Sequence, residues 1–163
     1  MAQGILVFLE VRQGKIKKTS LEALGAARKL ADSLHEDVTG ILIGMGQPDI
    51  PLGEYGADKV LCAKNQKLEA YSTEAYAETI AQAARKLTPR IILGSAGAMG
   101  RDLLPRVAAR LRVGLAQDCV ELQLTADRGL ECTRPIYAGK ALARVRLEKI
   151  PAIVRCSQRR SAN

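Results

Sequence analysis

Ile91-Ile92-Leu93-Gly94-Ser95-Ala96-Gly97-Ala98-Met99-Gly100-Arg101-Asp102-Leu103-Leu104-Pro105-Arg106-Val107-Ala108-Ala109-Arg110-Leu111 decides the fold. Residues 91–94 are a short apolar run, long enough for a buried strand and too short for a helix. A turn of small residues follows. Over 100–111, Leu103, Leu104, Val107, Ala108 and Leu111 recur at helical spacing and give one apolar face. Pro89, just upstream, ends whatever helix precedes the strand. A fully apolar strand feeding an amphipathic helix is the unit of a parallel sheet covered on both sides.

The same unit repeats toward the N-terminus. Residues 5–11, 38–43 and 59–63 read as strands. Between the first two, Leu21, Leu24, Ala27, Ala31 and Leu34 mark a helix, with Thr19 or Ser20 as its cap. Gly44-Met45-Gly46 closes the second strand, and a short helix is expected over 50–55. Tyr76, Ile80, Ala83, Ala84 and Leu87 mark another helix, capped by Ser72 or Thr73. Past Gly114 no helix intervenes. Residues 119–124, 130–136, 141–147 and 152–156 read as strands joined by Ala126-Asp127-Arg128-Gly129, by Ala138-Gly139-Lys140 and by a turn near Glu148. Such spacing predicts hairpins. The expected fold class is therefore α/β: three Rossmann-like layers, α/β/α, around a mainly parallel sheet with an antiparallel C-terminal extension.

The chain of 163 residues suits one domain, over 1–156, with 157–163 as a flexible tail. No apolar run nears the roughly 20 residues of a membrane span. The start, Met-Ala-Gln-Gly, has no basic and apolar leader pattern. These readings predict a cytoplasmic protein with no membrane insertion. Cysteines at 62, 119, 132 and 156 lack C-x-x-C spacing, and His35 is the single histidine, so free thiols are expected and no metal site. The formal charge of +8 is scattered, with no base-stacking aromatics beside it, so no nucleic-acid binding is expected.

The candidate site is the turn at 94–102. Backbone N–H groups of Gly94, Ser95, Gly97 and Gly100 could approach a phosphate, and the following helix N-terminus favours an anion. Arg101 could pair with that anion, and Asp102 suits the positive end of the helix dipole. The G-x-x-G-x-x-G spacing matches neither the dinucleotide fingerprint nor the P-loop. A nucleotide loop and a tight turn without ligand both stay open. Asp118 can shape a cleft or bond a loop. His35 lies in an exposed stretch, and no nucleophile stands beside a base, so no catalytic residue and no independent enzyme activity are expected.

Several stretches together resemble the N-terminal domain of the electron transfer flavoprotein α subunit. They include Ile5-Leu6-Val7-Phe8-Leu9-Glu10, Thr19-Ser20-Leu21-Glu22-Ala23-Leu24, Tyr55-Gly56-Ala57-Asp58-Lys59-Val60, Gly100-Arg101-Asp102-Leu103-Leu104-Pro105-Arg106, Asp118-Cys119 and Thr133-Arg134-Pro135-Ile136-Tyr137-Ala138-Gly139-Lys140. The resemblance runs from about residue 4 to residue 156. It implies an adenine nucleotide α-hydrolase-like fold and a scaffold role beside an electron transfer flavoprotein β subunit. It implies electron transfer from flavin dehydrogenases, such as acyl-CoA dehydrogenases of fatty acid β-oxidation, to a quinone reductase. In the family assembly FAD is held by a C-terminal domain, expected to be absent here, so this chain alone is expected to hold no FAD tightly. The family's β subunit commonly binds AMP with the loop equivalent to 94–102; the loop here has no acidic cluster. The alternative is a stand-alone adenine-nucleotide-binding module resembling stress proteins.

Overall fold

The structure, a computed structural model, describes residues 1–44, 46–48 and 50–157. Six strands form one all-parallel sheet: β1 (Ile5–Phe8), β4 (Val38–Ile43), β5 (Lys59–Ala63), β6 (Ile91–Ser95), β7 (Leu115–Cys119) and β11 (Ala152–Cys156). Their order is β5-β4-β1-β6-β11-β7. Alternation divides the core in two. Ile5, Val7, Leu42, Leu93 and Val154 face helix α1 (Lys18–Leu34), while Leu6, Phe8, Ile41, Ile92 and Ile153 face helices α2 (Thr73–Leu87) and α3 (Ala98–Leu111). Three antiparallel strands, β8 (Glu121–Leu124), β9 (Leu130–Ile136) and β10 (Ala141–Leu147), form a small sheet on the α1 side. The expected three-layer α/β class is the one observed.

The details differ from expectation in four places. The first strand stops at Phe8. Beyond it β2 (Val11–Arg12) and β3 (Lys15–Ile16) make a hairpin, with Gln13 at φ 52° and Gly14 at φ 74°, the positive pair a tight hairpin turn requires. Neither Thr19 nor Ser20 caps α1. The N-cap is Lys17, and the Ser20 hydroxyl instead accepts the buried Glu10 N–H at 2.8 Å. Ser72 does cap α2, accepting from the Ala75 N–H at 3.4 Å. Helix α3 begins at Ala98, ahead of the expected Gly100.

The fourth difference lies after Gly114. The expected strand over 119–124 is β8, beginning at Glu121, and ahead of it stands a strand that was not expected, β7 over 115–119. Asp118 at φ 54° bends the chain, so β7 stays in the parallel sheet and β8 leaves for the small one. The expected terminal hairpin strand, β11, runs parallel between β6 and β7, pairing Val154 with Leu93 on one side and Ala116 on the other. Ala152, Ile153 and Val154 are all buried, as a central parallel strand demands, whereas β10 alternates half-buried and exposed along its length. The antiparallel extension is thus a separate sheet, not an edge of the main one. Ser157 bonds its N–H to the Cys119 carbonyl at 2.8 Å. The rest of the expected flexible tail, 158–163, lies outside the described residues.

The amino-terminal edge of the sheet is held by one carboxylate. Glu36 accepts from the Gly4 N–H at 2.7 Å, from Arg90 Nη2 at 2.8 Å and from Arg128 Nη2 at 3.2 Å. Burial opposes its charge, but the Arg90 and Gly4 hydrogen bonds and both guanidinium charges outweigh burial and hold it below the usual carboxylate range.

Candidate functional site

The expected loop sits at the carboxyl end of the sheet, where ligands of open α/β folds collect. β6 ends at Ser95, and Gly97, at φ −66° and ψ 171°, is the N-cap of α3 with no side chain to offer. The Arg101 N–H donates to the Gly97 carbonyl at 3.0 Å, closing the first helical turn. Two of the glycines answer to close approach. A Cβ on Gly100 would stand 2.2 Å from the Ser95 carbonyl oxygen. A Cβ on Gly97 would stand 2.6 Å from Glu10 Oε2. Gly94 lets Leu104 of α3 pack onto the strand, with 2.8 Å to its Cδ1 from the same added atom.

Glu10 is the residue the sequence reading missed. It follows β1, is 5% exposed, and lies under the turn. Lys17 Nζ donates to its Oε1 at 3.4 Å, and Oε2 has no hydrogen-bond partner among the described residues. Ser95 Oγ and Thr19 Oγ1 are likewise buried without partners there. Only the end-of-strand position of an acid opposite a glycine turn could have flagged Glu10 from sequence.

The structure does not bring the six expected residues to one place. Gly94, Ser95, Gly97 and Gly100 shape the turn, and Arg101 lines a groove beside it. Asp102 faces the other way: it accepts from Thr73 Oγ1 at 2.5 Å and from the Tyr71 hydroxyl at 2.6 Å, tying α3 to the start of α2. Those hydrogen bonds, Thr73's first, hold its carboxyl below the usual range. Burial first, and the Asp102 contact second, push Tyr71 up to about 12. Asp118 is a structural partner, accepting from Arg155 Nη2 at 2.9 Å, and His35 is exposed at the end of α1.

The groove holds about 720 Å³. Lys17, Thr19 and Lys29 form one wall, Ala96, Gly97 and Arg101 the other, and Cys119 and Cys156 lie between the sheets. Elsewhere the basic surface is heavily paired: Arg28 with Asp58, Arg106 with Glu74, Arg110 with Glu74 and Glu78, Arg146 with Asp127. Among the described residues no group of three or more His, Cys, Asp or Glu side chains is placed to hold a metal ion, and no helix is long and apolar enough to cross a membrane.

Residues 5–161 match the electron transfer flavoprotein domain. The chain is 42% identical to "Protein FixB" of Clostridium saccharobutylicum over 145 residues, covering 88% of this chain and 43% of that protein. It is 39% identical to the electron transfer flavoprotein subunit alpha of Clostridium acetobutylicum, covering 88% and 44%. It is 36% identical to the acryloyl-CoA reductase electron transfer subunit beta of Anaerotignum propionicum, covering 88% and 46%. The chain spans less than half the length of these relatives.

Proposed function

The chain belongs to the electron transfer flavoprotein family, and from that premise we propose that it is the scaffold domain of an α-type subunit. In this reading it packs against a β-type subunit in an αβ heterodimer and carries no catalytic residue of its own. FAD is held by a part of the assembly outside these residues. The assembly takes electrons from flavin dehydrogenases, acyl-CoA dehydrogenases among them, and hands them to a quinone reductase. The α-subunit relatives support the role, and the relative named for acryloyl-CoA reductase supports an acyl-CoA-type electron partner. A cytoplasmic location goes with this reading.

The observation that carries it is Glu10 under Gly97. Glu10 Oε2 would stand 2.6 Å from a Cβ at Gly97 and has no hydrogen-bond partner among the described residues, so an acid and not a base underlies the turn that a diphosphate would need. An acid under the turn disfavours the diphosphate of FAD there, which supports a flavin held elsewhere in the assembly. The chain purified alone is expected to be colourless and to form a heterodimer, by size-exclusion chromatography, with a family β subunit. Near-stoichiometric flavin absorbance in the chain alone would sink the scaffold reading.

A second reading, an adenine-nucleotide module, draws on the basic walls of the groove: Lys17, Lys29 and Arg101. In it Gly94, Ser95, Gly97, Gly100 and Arg101 border a nucleotide pocket, with Asp102 behind. Calorimetry with AMP and ATP separates the two readings. Heat that saturates with nucleotide and is lost in Arg101→Ala favours the module; no heat at millimolar nucleotide leaves the scaffold.

A further inference from the structure

Three of the four cysteines meet at one corner of the molecule, where the parallel sheet and the small sheet join. Cys119 ends β7, and in β11 the residue registered with it is Cys156. The Val120 N–H donates to the Thr133 carbonyl at 2.9 Å, which brings the end of β7 against Cys132 and Thr133 of β9. All four thiols are free, and Cys119 and Cys132 are 2% and 0% exposed. Cys119 lines the groove; Cys132 lies behind it and does not.

We propose that Cys119 and Cys132 are a redox-active thiol pair, with Cys119 attacking a small peroxide that enters the groove and Cys132 closing a disulfide onto it. The surroundings sort the three sulfurs into roles. Cys119 Sγ lies 3.7 Å from the Gln117 carbonyl, to which its thiol donates; the neighbouring Cys132 thiol first, and the Arg134 and Arg155 charges after it, favour the Cys119 thiolate. Burial and the Asp118 charge oppose them, without reversing the outcome. Arg134 Nε and Arg155 Nε are buried with no hydrogen-bond partner among the described residues, so this corner carries uncompensated donor capacity beside the sulfur. Cys132 is held as the thiol chiefly by that same contact with Cys119, and burial pushes Cys156 up to about 12. An attacking thiolate next to a resolving thiol is the arrangement that reactive cysteine pairs use.

The chemistry balances with peroxide as oxidant. The Cys119 thiolate attacks one peroxide oxygen, the O–O bond breaks, and hydroxide leaves, becoming water with the proton that Cys119 gave up on ionising; Cys119 becomes a sulfenic acid, oxidised by two electrons. The Cys132 sulfur then attacks the Cys119 sulfur. The S–O bond breaks, the oxygen leaves as water with the Cys132 proton, and an S–S bond forms. One peroxide is reduced to two waters. The product links β7 of the parallel sheet to β9 of the small sheet.

The test is hydrogen peroxide added to the purified chain, followed by thiol titration and non-reducing peptide mass mapping. The chain is expected to lose two of its four thiols and to yield a Cys119–Cys132 peptide. In Cys132→Ala the link cannot form, and dimedone is expected to trap a sulfenic acid at Cys119. Should that variant unfold by circular dichroism, wild-type chain pulsed with peroxide and dimedone together reports the same adduct. A link between Cys119 and Cys156 instead overturns the assignment. So does oxidation confined to the exposed Cys62 while the chain stays folded.

Discussion

The two ends of the parallel sheet each bury a glutamate beside a glycine, and they treat it in opposite ways. At the amino end Glu36 takes hydrogen bonds from a backbone N–H and two guanidinium groups. At the carboxyl end Glu10 has one long contact to Lys17, and its second oxygen has no partner among the described residues. A buried carboxylate with all its bonds made contributes to a single packed state, whereas one with bonds unmade costs free energy. The amino end is therefore the structural clamp. The carboxyl end, with the glycine turn and the groove, is where Glu10, Thr19 and Ser95 keep buried polar atoms without partners among the described residues, at the end of the sheet where ligands of open α/β folds bind.

The sharpest way to break that contrast is Glu36→Gln. It removes the negative charge that faces Arg90 and Arg128, and breaking a buried pair on one side costs roughly 3–5 kcal/mol. Urea unfolding at neutral pH should show that loss, and Glu10→Gln should cost under about 1 kcal/mol because less is bonded to it. Equal losses would erase the distinction. The pH dependence carries the same information. The Glu36 value is lowered on folding from its ordinary 4.5, so its contribution is fully present above that value and is lost as pH falls through the lower folded value. Wild-type stability should fall in acid below about pH 4.5, and in Glu36→Gln that part of the acid slope should be missing.

Smaller effects sharpen the carboxyl end. Gly100→Ala sets a methyl against the Ser95 carbonyl, which is backbone and cannot swing away; overpacking of this kind costs about 1–3 kcal/mol. Gly97→Ala meets the tip of the Glu10 side chain instead, which can shift, so a loss of about 1 kcal/mol is expected at the lower end of the same range. The two positions part in the double variants: Glu10→Ala should restore most of the Gly97→Ala loss in thermal melts and none of the Gly100→Ala loss. Rescue of neither would mean that Glu10 does not sit under the turn.

The layers of this fold were legible because Ile5, Leu6, Val7 and Ile91, Ile92, Leu93 leave no face for water, and because the helices between them keep one apolar stripe. What escaped was order. Residues 141–147 and 152–156 follow each other like a hairpin, yet the first alternates and the second is apolar throughout; giving weight to that difference would have placed 152–156 inside the sheet. The break between β7 and β8 at Val120 was invisible, since the left-handed Asp118 just before it redirects the chain without changing its apolar pattern. Ser20 looks like a cap by type, and only the return of β1 past α1 gives its hydroxyl the Glu10 N–H instead. Glu36 and the cysteine corner depend on residues far apart in the chain, which spacing does not encode.

The smallest expected effect separates the turn from the residue once grouped with it. Asp102 is exposed and bonds Thr73 and Tyr71 rather than the groove. If it belongs to the packing of α2 on α3, Asp102→Ala should change stability by less than about 1 kcal/mol, as exposed polar contacts do. It should also lower the titration midpoint of Tyr71, followed by tyrosinate absorbance, toward the ordinary value of 10.0, because one of the groups that raises it is gone. Burial remains, so the midpoint should stop short of that value. Arg101→Ala, one residue earlier, should leave the tyrosine untouched, since its side chain lines the groove and not the helix pair. If Arg101→Ala moved Tyr71 as far as Asp102→Ala does, the two neighbours would share one environment, and the carboxyl end would be a single site after all.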